Sequence, residues 1–274
     1  PEERMLDLRV QVATNQRGAD AVLGLIRQMG LPAVLRSVDD VITYTRRRLL
    51  NRIGELAQGS YSFSGQLDDE GVGGDPVTIQ VNPTVGGARL HFDFTGSSPQ
   101  ARGAMNLPIN ALNATVYYAV KAMLAPAPAP TAGQLELTDI PAPRGPITRP
   151  EHPAAVGARS ITAQKVAGVL FGAFRGLLPR EKVMASSNDL CPAIVFSGRL
   201  QQRAGQFVYL ETLGGGAGAR YDRDGMDGIH VHMTNTSNLP VEALENEYPL
   251  RVDEYGLIAD SGGAGPTGGG LGAR

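Results

Sequence analysis

The sequence has very little cysteine and almost no excess of charge of either sign. Cys191 is the single cysteine in 274 residues, which excludes an internal disulfide and favours a reducing, cytoplasmic compartment. This cysteine lies in an apolar, strand-like segment without a neighbouring base, which indicates a buried structural residue rather than a nucleophile. The net charge of -2 gives no electrostatic reason to expect nucleic acid or an anionic membrane as a partner.

Long apolar runs and nucleotide-binding motifs are also missing. No segment reaches the roughly 18 consecutive apolar residues of a membrane span, and no signal peptide is recognisable. The glycine-rich segment 214–218 lacks the Gly-Lys-Ser/Thr of a phosphate loop and the Gly-x-Gly-x-x-Gly of a dinucleotide-binding turn. The chain alone is therefore not expected to bind ATP. It opens on Pro1 and ends in a glycine-rich turn, which predicts a partial sequence.

Hydrophobic periodicity predicts an α+β fold of mixed helices and mainly antiparallel sheets. Helical patterns cover residues 3–29, 37–57, 108–124, 159–177 and 241–247, and strand patterns cover 61–64, 77–81, 90–94, 193–197, 206–213 and 250–258. Ser37 is the expected N-cap of the second helix. Two alternating runs flank Gly86 and Gly87, which predicts a hairpin.

Composition divides the chain into three predicted regions. Residues 1–125 contain a helical N-terminal segment, a β-hairpin region and a further helix. Residues 126–153 form a Pro-rich connection, either a domain boundary or a loop that crosses the surface of a single fold. Residues 154–274 form an α+β region with a glycine-rich site loop.

Residues 211–249 are the strongest candidate for a functional site, because they concentrate small and polar side chains where a core would need large apolar ones. The predicted catalytic residues are His230, His232, Asn235 and Asp227. The predicted substrate-binding residues are Gly215, Gly216, Arg220, Arg223, Asp224, Thr234, Thr236 and Asn238. No metal ligand is predicted in this chain.

Each of these groups also has a structural interpretation. On a strand, His230 and His232 would project from one face and could share a substrate or, with nearby carboxylates, a metal ion; otherwise they brace the loop. The glycines at 214–218 could present N–H groups to an oxyanion, or they could let two backbones cross closely. Arg220, Arg223 and Asp224 could clamp a substrate carboxylate or pair with one another.

Several motifs occur in an order that is shared with a known family. They are Gly-Ala-Arg at 218–220, Arg-Asp-Gly at 223–225, His-x-His at 230–232, Thr-Asn-Thr at 234–236, Asn-x-Pro at 238–240, Phe-Asp-Phe-Thr-Gly at 92–96 and Ser-Gly-Gly-Ala-Gly at 261–265. In these motifs the chain resembles the hydantoinase B/oxoprolinase family. The resemblance covers essentially the whole chain, but only about the second half of a family subunit.

The resemblance implies a hydantoinase B-like fold and an ATP-dependent enzyme. Such an enzyme opens a cyclic amide, a hydantoin, 5-oxoproline or another lactam, after its carbonyl oxygen has been phosphorylated. The implied partners are a hydantoinase A-type actin-like ATPase subunit, which holds ATP and Mg²⁺, and a complementing N-terminal half. A divalent metal, Zn²⁺ or Mn²⁺, is expected in that upstream half, and no cofactor is expected on this chain alone.

Two other functions stay open at this point. Carboxylase subunits of the acetone or acetophenone type share this subunit architecture, and the chain could also be a non-catalytic half that only binds partners. The first two predicted helices carry apolar stripes, with Leu8 and Val12 on one and Ile42, Leu49 and Ile53 on the other. These stripes predict that the chain needs a covering partner unless it covers them itself.

Overall fold

The computed structural model describes residues 2–185, 193–199 and 205–273 and has the predicted α+β class, with mostly antiparallel strands. The interpretation of Cys191 lies outside these residues. The helices are α1 (Glu2–Met29), α2 (Leu31–Gly54), α3 (Ile109–Leu124), α4 (Ala132–Leu135), α5 (Arg159–Phe174) and α6 (Val241–Glu247). The strands are β1 (Gly59–Ser60), β2 (Phe63–Leu67), β3 (Val77–Gly86), β4 (Arg89–Asp93), β5 (Thr138–Asp139), β6 (Ala193–Arg199) and β7 (Gln206–Thr212). A short 3-10 helix covers Arg180–Lys182.

The second helix begins earlier than the sequence predicts. Helix α2 starts at Leu31, directly after Gly30, and Pro32 lies in its first turn, where the missing proline N–H removes no helical hydrogen bond. Ser37 is therefore inside the helix, and its hydroxyl donates to the carbonyl oxygen of Ala33 at 3.0 Å. The prediction of Ser37 as an N-cap was wrong, because the proline starts the second helix instead of only ending the first.

Helix α1 extends away from the core and leaves its apolar side chains exposed. Leu8 and Val12 are 55% and 69% exposed, whereas Leu49 and Ile53 at the far end of α2 are completely buried. The chain thus covers the stripe of the second helix near its C-terminus and not that of the first. No single helix in the described residues has both the length and the apolarity of a membrane span; α1 and α2 pass that test only as a pair, bent by 109°.

Strand β3 is the centre of the main sheet. It pairs antiparallel with β1, β2 and β4, and β4 pairs parallel with β5 over two residues. Alternate residues of β3 are buried, from Val77 to Val85, as period-2 patterning requires for a sheet with one covered face. The predicted β3–β4 hairpin is confirmed, with Gly87 and Ala88 at positive φ in its turn, the conformation that a two-residue hairpin loop favours.

The hydrophobic core lies between this sheet and helices α3 and α5. Its largest buried side chains include Phe92 from β4, Phe94 directly after β4, and Phe171 and Phe174 from α5. Core residues therefore come from both sides of the 126–153 segment, which itself contains α4 and β5. The three-region division stays a prediction. Strands β6 and β7 form a separate antiparallel hairpin, in agreement with the predicted strands.

Asn106 fixes the chain where it leaves the sheet for α3. Its side chain is completely buried; Oδ1 accepts from the N–H of Ala101, and Nδ2 donates to the carbonyl oxygens of Ala101, Gly103 and Ala155. One amide side chain thus satisfies backbone groups from two segments far apart in sequence. Buried backbone groups without a partner are costly, so this residue holds both segments in register.

We expect the substitution Asn106→Ala to lower the free energy of unfolding by about 3 kcal/mol, because it orphans several buried backbone groups at once. Urea unfolding followed by circular dichroism measures this loss. Asn110→Ala is the matched control, since Asn110 is exposed on α3, and it should change stability by less than about 0.5 kcal/mol. Equal stability of the two variants would contradict the role given to Asn106.

Candidate functional site

The glycine-rich segment crosses the C-terminal residues of the chain at close range. Residues 213–228 follow β7 and run beside residues 257–273, to which they are joined by backbone hydrogen bonds. Gly225 N–H donates to Gly268 at 2.9 Å, Gly270 N–H donates to Ala217 at 2.9 Å, and Gly228 N–H donates to the carbonyl oxygen of Leu271 at 2.7 Å. These three main-chain hydrogen bonds join the two segments directly.

Glycine is required at this crossing for steric reasons. A Cβ at Gly225 would lie 1.9 Å from the carbonyl oxygen of Ala217, and a Cβ at Gly216 would lie 2.5 Å from that of Gly270. Gly216 also has φ of 82°, which disfavours any side chain. Gly215 and Gly216 are buried, and the Gly216 N–H donates to Ile229 at 3.2 Å. The contacts match the crossing of two backbones, and substrate binding by these glycines stays a prediction.

The predicted aspartates hold the same crossing together. Asp224 accepts from the N–H of Gly268, and Asp227 accepts from the N–H of Leu271, both at 2.7 Å. Arg223 pairs instead with its neighbour Asp222 at 2.9 Å, and this hydrogen bond lowers the pKa of the Asp222 carboxyl. Asp224 and Asp227 therefore bind the C-terminal segment 257–273, called the tail below, whereas the side chain of Arg223 binds Asp222.

Residues 230–232 do not form a strand, which was the condition for both imidazoles to project from one face. The segment has no strand pairing, and His232 has a positive φ of 50° in a turn. Such a turn follows because the glycine crossing fixes the chain just before it. The two imidazoles therefore do not share one face. They have separate surroundings, and the idea of a shared metal or substrate between them is not supported by their geometry.

His232 belongs to the core side of the loop. It is buried, and its ring packs edge-on against Phe171 at 5.0 Å and Tyr118 at 6.1 Å between centroids. The Tyr118 hydroxyl lies 3.4 Å from Nδ1 of His232. Burial raises the pKa of Tyr118, so the phenol is protonated at neutral pH and can donate toward this nitrogen. His232 therefore joins the loop to α3 and α5.

His230 belongs to a different set of contacts, which ends at Tyr255. Its Nε2 lies 3.0 Å from Oδ1 of Asn238, and Nδ2 of Asn238 donates to the Tyr255 hydroxyl. Since the amide oxygen only accepts, Nε2 carries the proton and donates. This tautomer leaves Nδ1 as the basic nitrogen, and Nδ1 is buried without a hydrogen-bond partner among the described residues. An oriented imidazole with an unpaired basic nitrogen can take up a proton.

Tyr255 lines an apolar groove of about 420 Å³ between the β6–β7 hairpin and α6. The groove also includes Glu211, which accepts from the hydroxyl of Tyr209 and from the N–H of Leu239. Burial and this hydrogen bond raise the pKa of Tyr209, so it stays a neutral donor. His230 is thus connected to the groove through two hydrogen bonds. Sequence reasoning missed Tyr255, because no local signal joins it to a histidine 25 positions upstream.

The remaining predicted residues lie apart. Thr234 accepts from Gln164 of α5 at 3.3 Å, while Asn235 and Thr236 are exposed. Arg220 lines another, larger cavity. The predicted residues therefore divide among the tail, the core, the groove and the surface, and only His230 and Asn238 stand in direct contact as a chemical pair.

The predicted final strand at 250–258 was also wrong. The described residues there form one isolated bridge, between Leu257 and Ala273. The N–H of Val252 donates to the side chain of Glu245, and that of Ile258 donates to Gly272. These backbone groups are satisfied without a neighbouring strand. The same segment carries Tyr255 into the groove.

The described residues contain no group of three or more His, Cys, Asp and Glu side chains placed to hold a metal ion. His230 and His232 lack a shared direction, and Asp224 and Asp227 are used by the tail. The residues present therefore do not fit a metal centre. A divalent metal in the upstream half stays a prediction.

Sequence comparison gives matches over the full length of the chain. The family model described as hydantoinase B/oxoprolinase matches residues 1–274. The B subunit of a putative D-/L-hydantoinase from Pseudomonas sp. (strain NS671) is 30% identical, and the match covers 97% of this chain and 46% of that protein. The 5-oxoprolinase 1 of Arabidopsis thaliana is 29% identical, over 99% of this chain and 21% of that protein. The chain thus spans about half of one relative and a fifth of the other.

Structure comparison shows the same fold in two solved proteins. The ATP-dependent caprolactamase from Pseudomonas jessenii has a TM-score of 0.81 at 22% identity, over 97% of this chain and 47% of that one. Acetone carboxylase, in its nucleotide-free structure, has a TM-score of 0.83 at 18% identity, over 98% and 38%. The predicted fold class is confirmed by these similarities.

Proposed function

Since the chain belongs to the hydantoinase B/oxoprolinase family, we propose that it is half of the hydrolytic subunit of an ATP-dependent enzyme that opens a cyclic amide. The substrate would be a hydantoin, 5-oxoproline or another lactam. The full-length family match carries this proposal, because the relatives it joins include a hydantoinase subunit and 5-oxoprolinases. The structure adds a candidate proton acceptor, His230.

The chemistry explains why such a reaction needs ATP. A ring amide is a weak electrophile, and transfer of a phosphoryl group from ATP to its carbonyl oxygen, with release of ADP, makes the carbon reactive. One water then adds to that carbon, the ring C–N bond breaks as the nitrogen takes a proton, and an acyl phosphate results. A second water converts the acyl phosphate into a carboxylate and inorganic phosphate. This subunit must therefore move protons to and from water.

We assign that proton transfer to His230. Asn238 accepts from Nε2 and so fixes the ring and its tautomer, while Tyr255 fixes the Asn238 amide. Nδ1 is then the basic atom; since it is buried in the chain alone, we propose that the reacting water reaches it in the assembled enzyme, where it accepts a proton and returns it to the leaving nitrogen. A positioned acid or base of this kind contributes on the order of 10²- to 10⁴-fold to a rate.

The partners proposed from the family are a complementing N-terminal half and a hydantoinase A-type ATPase subunit, in the cytoplasm. The exposed side chains of α1, including Leu8 and Val12, support a covering partner, because apolar patches of this extent on soluble proteins mark interaction sites. The N-terminal half is the favoured occupant, since the family relative is about twice as long as this chain. ATP would bind to the ATPase subunit.

An acetone-type carboxylase subunit is the second candidate, and the fold similarity to acetone carboxylase supports it. In that reaction bicarbonate is a substrate and a C–C bond forms, so the two functions differ in their requirement for bicarbonate. A non-catalytic, partner-binding half is the third.

Reconstitution with the N-terminal half and the ATPase subunit tests these proposals. We expect ATP-dependent conversion of hydantoin, 5-oxoproline or caprolactam to the open-chain acid, measured by mass spectrometry, with equal ADP release in the presence and absence of bicarbonate. Incorporation of labelled bicarbonate into a ketone would identify the carboxylase instead. Full activity of the partners without this chain would assign it to neither reaction.

A further inference from the structure

A large cavity lies apart from His230, which is not among its lining residues. Its volume is about 820 Å³, and it lies between the C-terminal end of α5, the 3-10 helix Arg180–Lys182, and the loop and tail segments 219–221 and 264–267. Three arginines line it: Arg175, Arg180 and Arg220. The cavity residues described by the structure include no Asp or Glu.

The walls of this cavity are fixed by backbone contacts. Ala185 N–H donates to the carbonyl oxygen of Ala219 at 2.9 Å, which joins the segment after the 3-10 helix to the loop. The carbonyl oxygen of Arg220 accepts from the hydroxyl of Thr267 at 2.8 Å, and its N–H donates to Arg223 at 2.9 Å. Both the N–H and the carbonyl oxygen of Arg220 are hydrogen-bonded, so the position of its Cα, from which the side chain extends, is fixed.

The described residues balance the charges of the three arginines only in part. Among the described residues, none of the three arginines has an ion-pair partner; the nearest acidic side chain to Arg220 in sequence, Asp222, pairs with Arg223 at 2.9 Å. The guanidinium carbon of Arg180 lies 5.4 Å from the centre of the Tyr221 ring, a cation–π contact that limits its motion. The charge of Asp222 acts on Arg220 as well as on Arg223, but the described lining of the cavity holds three arginines and no carboxylate, so a multivalent anion would lower its electrostatic energy.

We propose that this cavity is a binding site for a phosphoryl group. A phosphate dianion offers three or more acceptor oxygens, and the planar donors of arginine match them with paired hydrogen bonds. A single carboxylate has two oxygens and one charge and would leave part of this donor set unused. The proposal depends on the charge and lining of the cavity and not on the ring-opening reaction; free phosphate and an acyl phosphate are its two possible sources.

The test is a titration of the full chain with inorganic phosphate at constant ionic strength, followed by calorimetry and by the ³¹P linewidth. Each of R175Q, R180Q and R220Q should weaken binding about tenfold, because each removes a hydrogen-bonded charge from the anion. R89Q is the matched control: Arg89 is exposed on β4, is paired with Asp139 and does not line the cavity. It should leave the affinity unchanged.

A second titration with acetyl phosphate identifies the source of the ligand. Tighter binding than phosphate assigns the site to an acyl phosphate, and equal binding assigns it to phosphate itself; both support a phosphoryl site. Circular dichroism must show that the variants remain folded, which the exposed positions of all three arginines favour. Absence of saturable phosphate binding, tighter binding of acetate than of phosphate, or an equal loss in R89Q would overturn the proposal.

Discussion

Replacement of His230 by alanine should lower the turnover of the reconstituted enzyme on the order of 10²-fold, because it removes the proposed proton acceptor. The measurement is the steady-state rate of ring opening at saturating ATP and substrate. The affinity for substrate should change much less than the rate, since the loss is in proton transfer. Added imidazole should restore part of the activity, which a purely structural defect would not allow.

Two other histidines make this result interpretable. His91→Ala is the matched control, because His91 is exposed on β4, and it should keep full activity. His232→Ala should instead lower the melting temperature, because His232 is buried between aromatic rings. If folded His230→Ala loses less than about threefold in turnover, His230 has a structural role and does not transfer the proton.

The substitution with the largest expected effect on stability is Gly225→Ala. The new methyl group would lie 1.9 Å from the carbonyl oxygen of Ala217 and 2.6 Å from the backbone nitrogen of Gly270, so two stretches of main chain must move apart. We expect a loss of about 3 kcal/mol or more in the free energy of unfolding, because overpacking against backbone has no flexible side chain to yield.

The urea midpoint of unfolding measures this effect. Gly263→Ala is the control, since a Cβ at Gly263 meets no atom within 4 Å, and it should be neutral or slightly stabilising. If Gly225→Ala unfolds at the same urea concentration as the parent chain, the crossing of loop and tail is looser than the structure describes. In that case the N–H groups of the glycines at 214–218 could bind a ligand.

The fold was predictable where one local rule acts alone. The alternation in β3 and β4 and the glycine between them predicted the hairpin, and each helix with a continuous apolar pattern was found. The start of α2 was missed because Pro32 follows Gly30 directly, and a proline ends one helix as readily as it begins the next. Residues 250–258 have a strand-like pattern, but their backbone groups bind a side chain and the tail.

The sequence predicted a location for the candidate site, which stays a prediction, and did not predict how its side chains are arranged. The density of glycine and polar residues marked the loop, because such a composition suits neither a helix nor a core. On a strand, period-2 spacing would place His230 and His232 on one face, whereas tertiary contacts turn one to the core and the other to Asn238. Arg175, Arg180 and Tyr255 carry no local signal, since they reach their sites only after distant segments pack together.

The joining of the glycine loop to the tail has a consequence for the order of folding. Asp224 and Asp227 bind backbone groups 44 residues further along the chain, so the ribosome must synthesise those residues before the loop can close. The sheet and its helices have their partners earlier, and domains made during synthesis acquire structure from the N-terminal side first. The loop that carries His230 therefore takes shape later than the sheet and its helices, and a nascent chain has this core before it has its candidate site.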